Sequence, residues 1–348
     1  MRLIKALAAL LIVAISAAVA IAYFLSRPFA AFQREVFIEI PKGASTRSMA
    51  QMLADAGVIE HTWELLALRA LHPSLKLQAG EYRFAGPASP LEVYGRIARG
   101  DVFYYQLAIP EGQNMFDIAS TVEGLGWMSA PEFLAAARDA SLIHDLAPAA
   151  PTLEGYLFPD TYRLTRHTSA AELCRILTQR FRAEWKRLGA SADVHQTVTL
   201  ASLIEKEAAV PADRPLIASV FQNRLRLGMP LDCDPTTIYA ALLEQRYHGA
   251  IYRSDLASPN AYNTYQHAGL PPGPIANPGL ASLRAALAPV ATNYLYFVAK
   301  TDGSGGHQFS KNAEEHTKAV QVYRQKLKKA PAVDPPARTH KPRHRRRA

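Results

Sequence analysis

The chain has 348 residues, 49% hydrophobic and 20% charged, which excludes a disordered polymer and leaves room for two or three packed domains. A formal net charge of +9 would suggest a nucleic-acid partner, but from Lys311 onward twelve Lys and Arg stand against three Asp and Glu, so the excess belongs to the C-terminal stretch and no basic face is implied for the body. Two cysteines, Cys174 and Cys233, are too few for a disulfide scaffold or a structural zinc site.

Ala6 to Leu25 carries no charge. At 1.5 Å per residue, about 20 residues cross a hydrocarbon core of about 30 Å. Arg2 and Lys5 precede the run, and a short charged N-terminus ahead of a first span stays inside. Residues 1–27 are therefore expected to be a cytoplasmic N-terminus and a retained single-pass anchor, with the body outside the cytoplasm. The competing reading is a cleaved signal peptide with Ala18-Val19-Ala20 as its processing site, although the run exceeds the usual apolar length of about 7–15 residues. In that compartment Cys174 and Cys233 could pair or stay as separate thiols.

Val36–Ile40 reads as a strand, Pro41-Lys42-Gly43 as a turn, and Ser45 or Thr46 as the cap of a helix ending at Gly57. The pattern recurs at Tyr104–Ile109, Pro110-Glu111-Gly112 and a helix ending before Gly126. Ile40, Pro41, Gly43, Met49, Leu53 and Gly57 match Ile109, Pro110, Gly112, Ile118, Val122 and Gly126 at one offset of 69, which points to a duplicated strand–turn–helix unit. Between the copies, 62–71 predicts a helix, 78–84 a strand and 91–98 a helix, giving a small α+β module over 36–100. A second domain follows over 101–329. It has a helix at 168–188, a helical hairpin at 192–228, loops around a site at 232–278, a strand at 294–298 and a closing helix at 314–329. The basic tail 330–348, with prolines at 331, 335, 336 and 342, is expected to be disordered and to add nothing to the fold or the chemistry, serving as an electrostatic contact for a membrane surface or an anionic wall polymer or standing as a solvated terminus.

The helix through Glu205-Lys206-Glu207 carries the most chemistry. At 100° per residue Glu205 shares a stripe with Val194, Val198, Ala201, Ala208 and Ala209, whereas Glu207 lies opposite with Leu200 and Leu203. Alanines leave room for a ligand and leucines fill space. Burial there would favour the protonated form of Glu205, as a general acid requires. The competing reading is a structural ion pair with Lys206, Arg214 or Arg224. Tyr262-Asn263-Thr264-Tyr265 offers aromatic faces and amides of the kind sugars use, or an ordinary turn with packed tyrosines. Asp234-Pro235-Thr236 reads as a helix cap. His307 and His316 lack metal-ligand spacing, so no metal is expected. No phosphate loop or dinucleotide motif is present.

These segments occur in a recognisable order: Glu154-Gly155-Tyr156-Leu157-Phe158-Pro159-Asp160-Thr161-Tyr162, Ala201 to Glu207, Asn223-Arg224-Leu225, Asp234-Pro235-Thr236, Tyr262 to Tyr265, Gly269 to Ile275, and Tyr296-Phe297-Val298 with His307-Gln308-Phe309. Together, over about 36–329, they resemble the YceG-like family of MltG-type endolytic murein transglycosylases. The resemblance implies an α+β architecture with an N-terminal transmembrane helix, a LysM-like module at 36–100, and a mixed α/β catalytic domain whose central helix carries Glu205 as the catalytic acid. It implies substrate contacts from Tyr262, Asn263, Thr264, Tyr265, Asn223, Asp234, Thr236 and His307, and neither cofactor nor metal. It implies cleavage of the MurNAc–GlcNAc bond in nascent peptidoglycan at the periplasmic face of the inner membrane, penicillin-binding glycan synthases as partners, and no nucleic acid. A membrane-anchored glycan-binding or division scaffold without chemistry is the alternative. Cys233 stands where relatives more often carry a small hydroxyl residue, which puts a hydrogen bond from that position in doubt.

Overall fold

A computed structural model describes residues 2–329; the basic tail 330–348 lies outside the described residues. The chain divides into two compact units, one running to Leu107 and taking in Tyr162–Thr168, the other comprising Ala108–Thr161 and the chain from Ser169.

The first unit begins with α1 (Arg2–Ser26), which over Ile4–Ser26 is long and apolar enough to cross a membrane. It continues with β1 (Val36–Ile40), α2 (Thr46–Asp55), α3 (Thr62–Leu71), β2 (Gly80–Phe84) and α4 (Pro90–Arg99). β1 and β2 pair antiparallel from Val36↔Phe84 to Ile40↔Gly80. Alternation puts Ile38 and Ile40 on the buried face, where Leu53, Leu65, Leu68, Tyr82, Phe84, Val93 and Ile97 close the core. Ser45 caps α2 by accepting from Ser48 N–H. Gly57 has φ +69°, and a Cβ there would stand 2.9 Å from that of Ala31, so both backbone and neighbour require glycine.

β3 (Tyr105–Ala108) pairs with β4 (Thr161–Leu164). The second unit holds α5 (Met115–Gly124), α6 (Ala130–Ala137), α7 (Ala170–Leu188), α8 (Val194–Glu207), α9 (Arg214–Arg226), α10 (Asp234–Leu243), α11 (Arg253–Leu256), α12 (Leu280–Leu287), the antiparallel hairpin β5 (Tyr296–Ala299) and β6 (His307–Ser310), and α13 (Ala313–Lys329). α8 is buried continuously from Thr197 to Ile204 and packs against α9, α10 and α12. Among the described residues the fold is thus mixed α/β, with helices dominant and strands confined to three two-stranded sheets.

The repeat is present and longer than its sequence trace. β1 and β3, and α2 and α5, begin 69 residues apart, as do the caps Ser45 and Asn114. Gly43 and Gly112 have φ +82° and +79°; Gly57 and Gly126 have +69° and +72°. In each copy a second helix and a strand that pairs back on the first follow, so the unit in chain order is β-α-α-β. Three details depart from expectation. The stretch 232–278 contains α10 and α11 where loops were expected, and α6 and α12 had no predicted counterpart. The cap of α10 is Cys233; Asp234 is its first helical residue. Cys174 and Cys233 are buried and unbridged.

Candidate active site

The two glutamates of α8 have different surroundings. Glu205, with a side chain only 6% exposed, has both oxygens occupied: Oε1 accepts from Arg214 Nη2 at 3.1 Å, and Oε2 from the Gly279 N–H at 2.9 Å. Arg214 is itself fixed by a 3.1 Å bond from Nε to Ser282 Oγ. Of the ion-pair partners the sequence offered, Arg214 is the one that Glu205 meets. The alanine stripe breaks for a local reason. α8 ends at Glu207, and Ala208 is extended (φ −86°, ψ 96°), so Ala208 and Ala209 do not continue the helical face.

Glu207 lies on the wall of a cavity of about 450 Å³ that it shares with Arg224, Asp232, Asp234, Tyr265, Tyr296, Phe297 and His316. Burial pushes its carboxyl above the usual range, against the hydrogen bond that Cys233 donates to it and the nearby His307. Cys233 Sγ lies 3.1 Å from Glu207 Oε1, so the thiol is the donor to this carboxyl group. Burial, then Glu207, push that thiol well up, which keeps it protonated and a donor.

The predicted substrate residues divide into wall and scaffold. Tyr265 and Asp234 line the cavity and are bonded to each other, hydroxyl to Oδ1, at 2.6 Å. His307 Nδ1 is held at 2.9 Å by Asp213, which also accepts the His307 backbone N–H at 2.7 Å. Asn263, 0% exposed, turns inward: its amide donates to the carbonyls of Asp255, Leu256 and Ser258, and its oxygen accepts from the Tyr265 N–H. These bonds shape the loop. Thr264 and Thr236 are likewise buried and bond each other at 2.9 Å, clasping the loop to the start of α10. Asn223 donates to the carbonyls of Thr292 and Tyr294. Tyr262 packs on Tyr239, ring centroids 5.0 Å apart. The aromatic–amide pattern of 262–265 therefore builds a turn and delivers one cavity residue, Tyr265.

Several further residues act through partners far away in the sequence. Arg224 ties three segments together, donating to Leu295 O, Pro230 O and Asp232 Oδ2, and stacks over Tyr296 at 5.0 Å. That grip holds Asp232 at φ +49°, a conformation costly for a side-chain-bearing residue. Glu154, fully enclosed, accepts from Met115 N–H at 2.8 Å and Asn277 Nδ2 at 3.0 Å. Burial pushes its pKa up to about 8. Asn277 also accepts from Leu157 N–H and donates to Gln113 O. Gly155, at φ +87°, has no room for a Cβ, which would stand 2.4 Å from Pro274 Cγ. Glu111 sits against Gly279 and faces Glu205 and Arg214; burial, then Glu205, raise its pKa.

Residues 38–322 match the sequence pattern of the YceG-like family. An endolytic murein transglycosylase of Bacillus subtilis is 34% identical over 311 residues, covering 83% of this chain and 84% of that protein. One of Streptococcus pneumoniae is 29% identical over 326 residues, covering 83% of this chain and 58% of that protein. A crystal structure of a yceG-like protein from Listeria monocytogenes superimposes with a TM-score of 0.53 at 33% identity, over 83% of this chain and the whole of that one. With its sequence motifs, its helical second unit and these relatives in agreement, the chain belongs to the YceG-like family, homologous over most of its length to the MltG-type endolytic murein transglycosylases.

Proposed function

We propose that the protein is an endolytic lytic transglycosylase that cuts the MurNAc–GlcNAc bond within nascent peptidoglycan strands, and that Glu207 is its acid. One observation carries the assignment: of the two α8 glutamates, Glu207 opens onto a polar, aromatic-edged cavity with its proton affinity raised, whereas both oxygens of Glu205 are engaged by Arg214 and Gly279. Protonated Glu207 gives its proton to the glycosidic oxygen as the C1–O bond breaks. The 6-hydroxyl of the same muramic residue then bonds to C1 and returns its proton to Glu207. The product is a 1,6-anhydro end, and no water or cofactor is consumed. Hydrolases pair two carboxylates to manage a nucleophile; an internal hydroxyl needs one group that alternates as acid and base, and proximity supplies part of the rate. Tyr265, Asp234 and His307 are assigned to sugar contacts. The first unit is assigned a LysM-like glycan-binding role, with α1 as a retained anchor and the cutting unit on the outer side of the cytoplasmic membrane, where penicillin-binding glycan synthases deliver the strand.

The test is a pair of variants incubated with sacculi, anhydro-muropeptides being counted by mass spectrometry. E207Q is expected to fold and to lose about 10²–10⁴-fold in rate. E205Q is expected to lower the melting temperature, because it removes the carboxylate charge that faces the largely enclosed Arg214 guanidinium. Because Glu207 works protonated, activity should fall as pH rises through its elevated pKa. Full activity in E207Q with a folded, inactive E205Q would return the acid to Glu205. Sacculi left intact by the wild type would favour the glycan-binding scaffold.

A further inference from the structure

α1 is built into the first unit with no linker. Leu25 is 6% exposed and belongs to that unit's core. Three residues past the end of the helix, Phe29 exchanges backbone hydrogen bonds with Ala88 at 3.1 and 3.3 Å, and Ala31 N–H donates to Gly57 O at 2.9 Å. The height of α1 along a bilayer normal therefore fixes the height of this unit.

That height can be read at one side chain. Trp63, on the first turn of α3, stands edge-on to Phe24 with ring centroids 6.3 Å apart and planes at 78°. Phe24 lies two residues before Ser26, about 3 Å below the end of the helix. The headgroup region adds about 5–8 Å to each side of the hydrocarbon core. Whichever way the vector between the two rings points, Trp63 lies no more than 6.3 Å above or below Phe24, a range from about 9 Å below to about 3 Å above the end of the helix that spans the outer boundary between hydrocarbon and headgroups. An indole is at its best there, with its ring among methylenes and its N–H among headgroups. Trp63 is 38% exposed although its neighbours Leu65 and Leu68 are buried, so the unit's own core does not cover it. Tyr23, 60% exposed and edge-on to Phe24 at 5.7 Å, extends the same aromatic collar.

We infer that the first unit rests on the outer leaflet of the bilayer that α1 crosses, with the Trp63 ring seated among the lipid headgroups. The partner is the lipid surface itself, and the contact is continuous with the span. The unit is thereby held at one height above the membrane. This inference rests on α1 being a retained span.

The test uses the full chain reconstituted in phosphatidylcholine vesicles, with and without lipids brominated near the headgroup end of the acyl chain. Bromine should quench wild-type emission by a share approaching the one part in three that a single tryptophan contributes. W63F, or W63Y should W63F fail to fold, should lose that quenching and keep the emission of Trp127 and Trp185. Equal quenching in wild type and variant, or no quenching of a wild type that floats with the vesicles after alkaline carbonate, overturns the inference and leaves the anchor intact. A chain that carbonate strips from the vesicles removes the anchor, and the inference with it.

Discussion

Pro41-Lys42-Gly43 and Pro110-Glu111-Gly112 hold the same place in two copies of one β-α-α-β unit, and the φ angles of their glycines agree within a few degrees. Their surroundings differ. Nothing lies within 4 Å of where a Cβ on Gly43 would stand. A Cβ on Gly112 would lie 3.5 Å from Glu205 Cγ; Gly112 N–H donates to Asn277 O at 2.9 Å, and its carbonyl accepts from Lys206 at 3.2 Å. One turn is an exposed corner. The other is a strut beneath the Glu-Lys-Glu end of α8. The backbone follows from Pro and Gly in both copies, but the role follows from what the rest of the chain brings to the turn.

The strongest way to break this contrast is at Asn277. Its side chain joins Leu157, Gln113 and Glu154 across the second copy, and the first copy's turn is only an exposed corner. N277A should cost about 2–4 kcal/mol, because buried donors and acceptors lose their partners together, and it should lower cleavage by loosening the strut. A melting temperature equal to wild type would mean that the turn is held by packing alone.

The same network gives a pH signature. Glu154 has a pKa of about 8 in the fold against an ordinary 4.5. Between those values the folded state binds more protons than the unfolded one. The stability this group contributes is therefore complete below about pH 4.5 and is lost as pH rises through about 8. The melting temperature of wild type relative to that of E154Q should fall from pH 5 to about pH 8 and level off above it. A difference independent of pH would show that Glu154 is ionised in the fold, held so by Met115 N–H and Asn277.

How much of this was legible in the sequence depends on whether the cause is local. The repeat, the helix at 62–71 and the turn glycines follow from punctuation and periodicity, which act within a few residues. The orientation of the α8 glutamates does not. Stripe arithmetic carried the helix through Ala208 and Ala209, but the chain turns extended at Ala208, and an arginine nine residues on takes Glu205. Asn263 shows the same limit from the other side. Its type suits a sugar, yet the three carbonyls that consume its amide are set by the path of the loop from 255 to 258. Glu154 and Asn277 are 123 residues apart, and no local pattern announces that they meet.

The smallest expected effect sharpens the comparison at the helix caps. Ser45 is exposed and accepts one bond, from Ser48 N–H at 3.1 Å. Asn114, its counterpart, is buried and accepts from Phe116 and Asp117 N–H groups, both at 2.9 Å, and Asp117 Oδ2 accepts the Asn114 N–H in return at 3.0 Å. Water can replace the Ser45 hydroxyl, so S45A should cost about 0.5–1 kcal/mol. In N114A two N–H groups at the start of α5 lose their acceptor where water enters poorly, and the cost should approach about 2 kcal/mol. Denaturant titration of each variant measures the difference. Comparable losses would show that the second copy's cap is as open to solvent as the first, and that the two copies diverge at the turn and not at the helix that follows it.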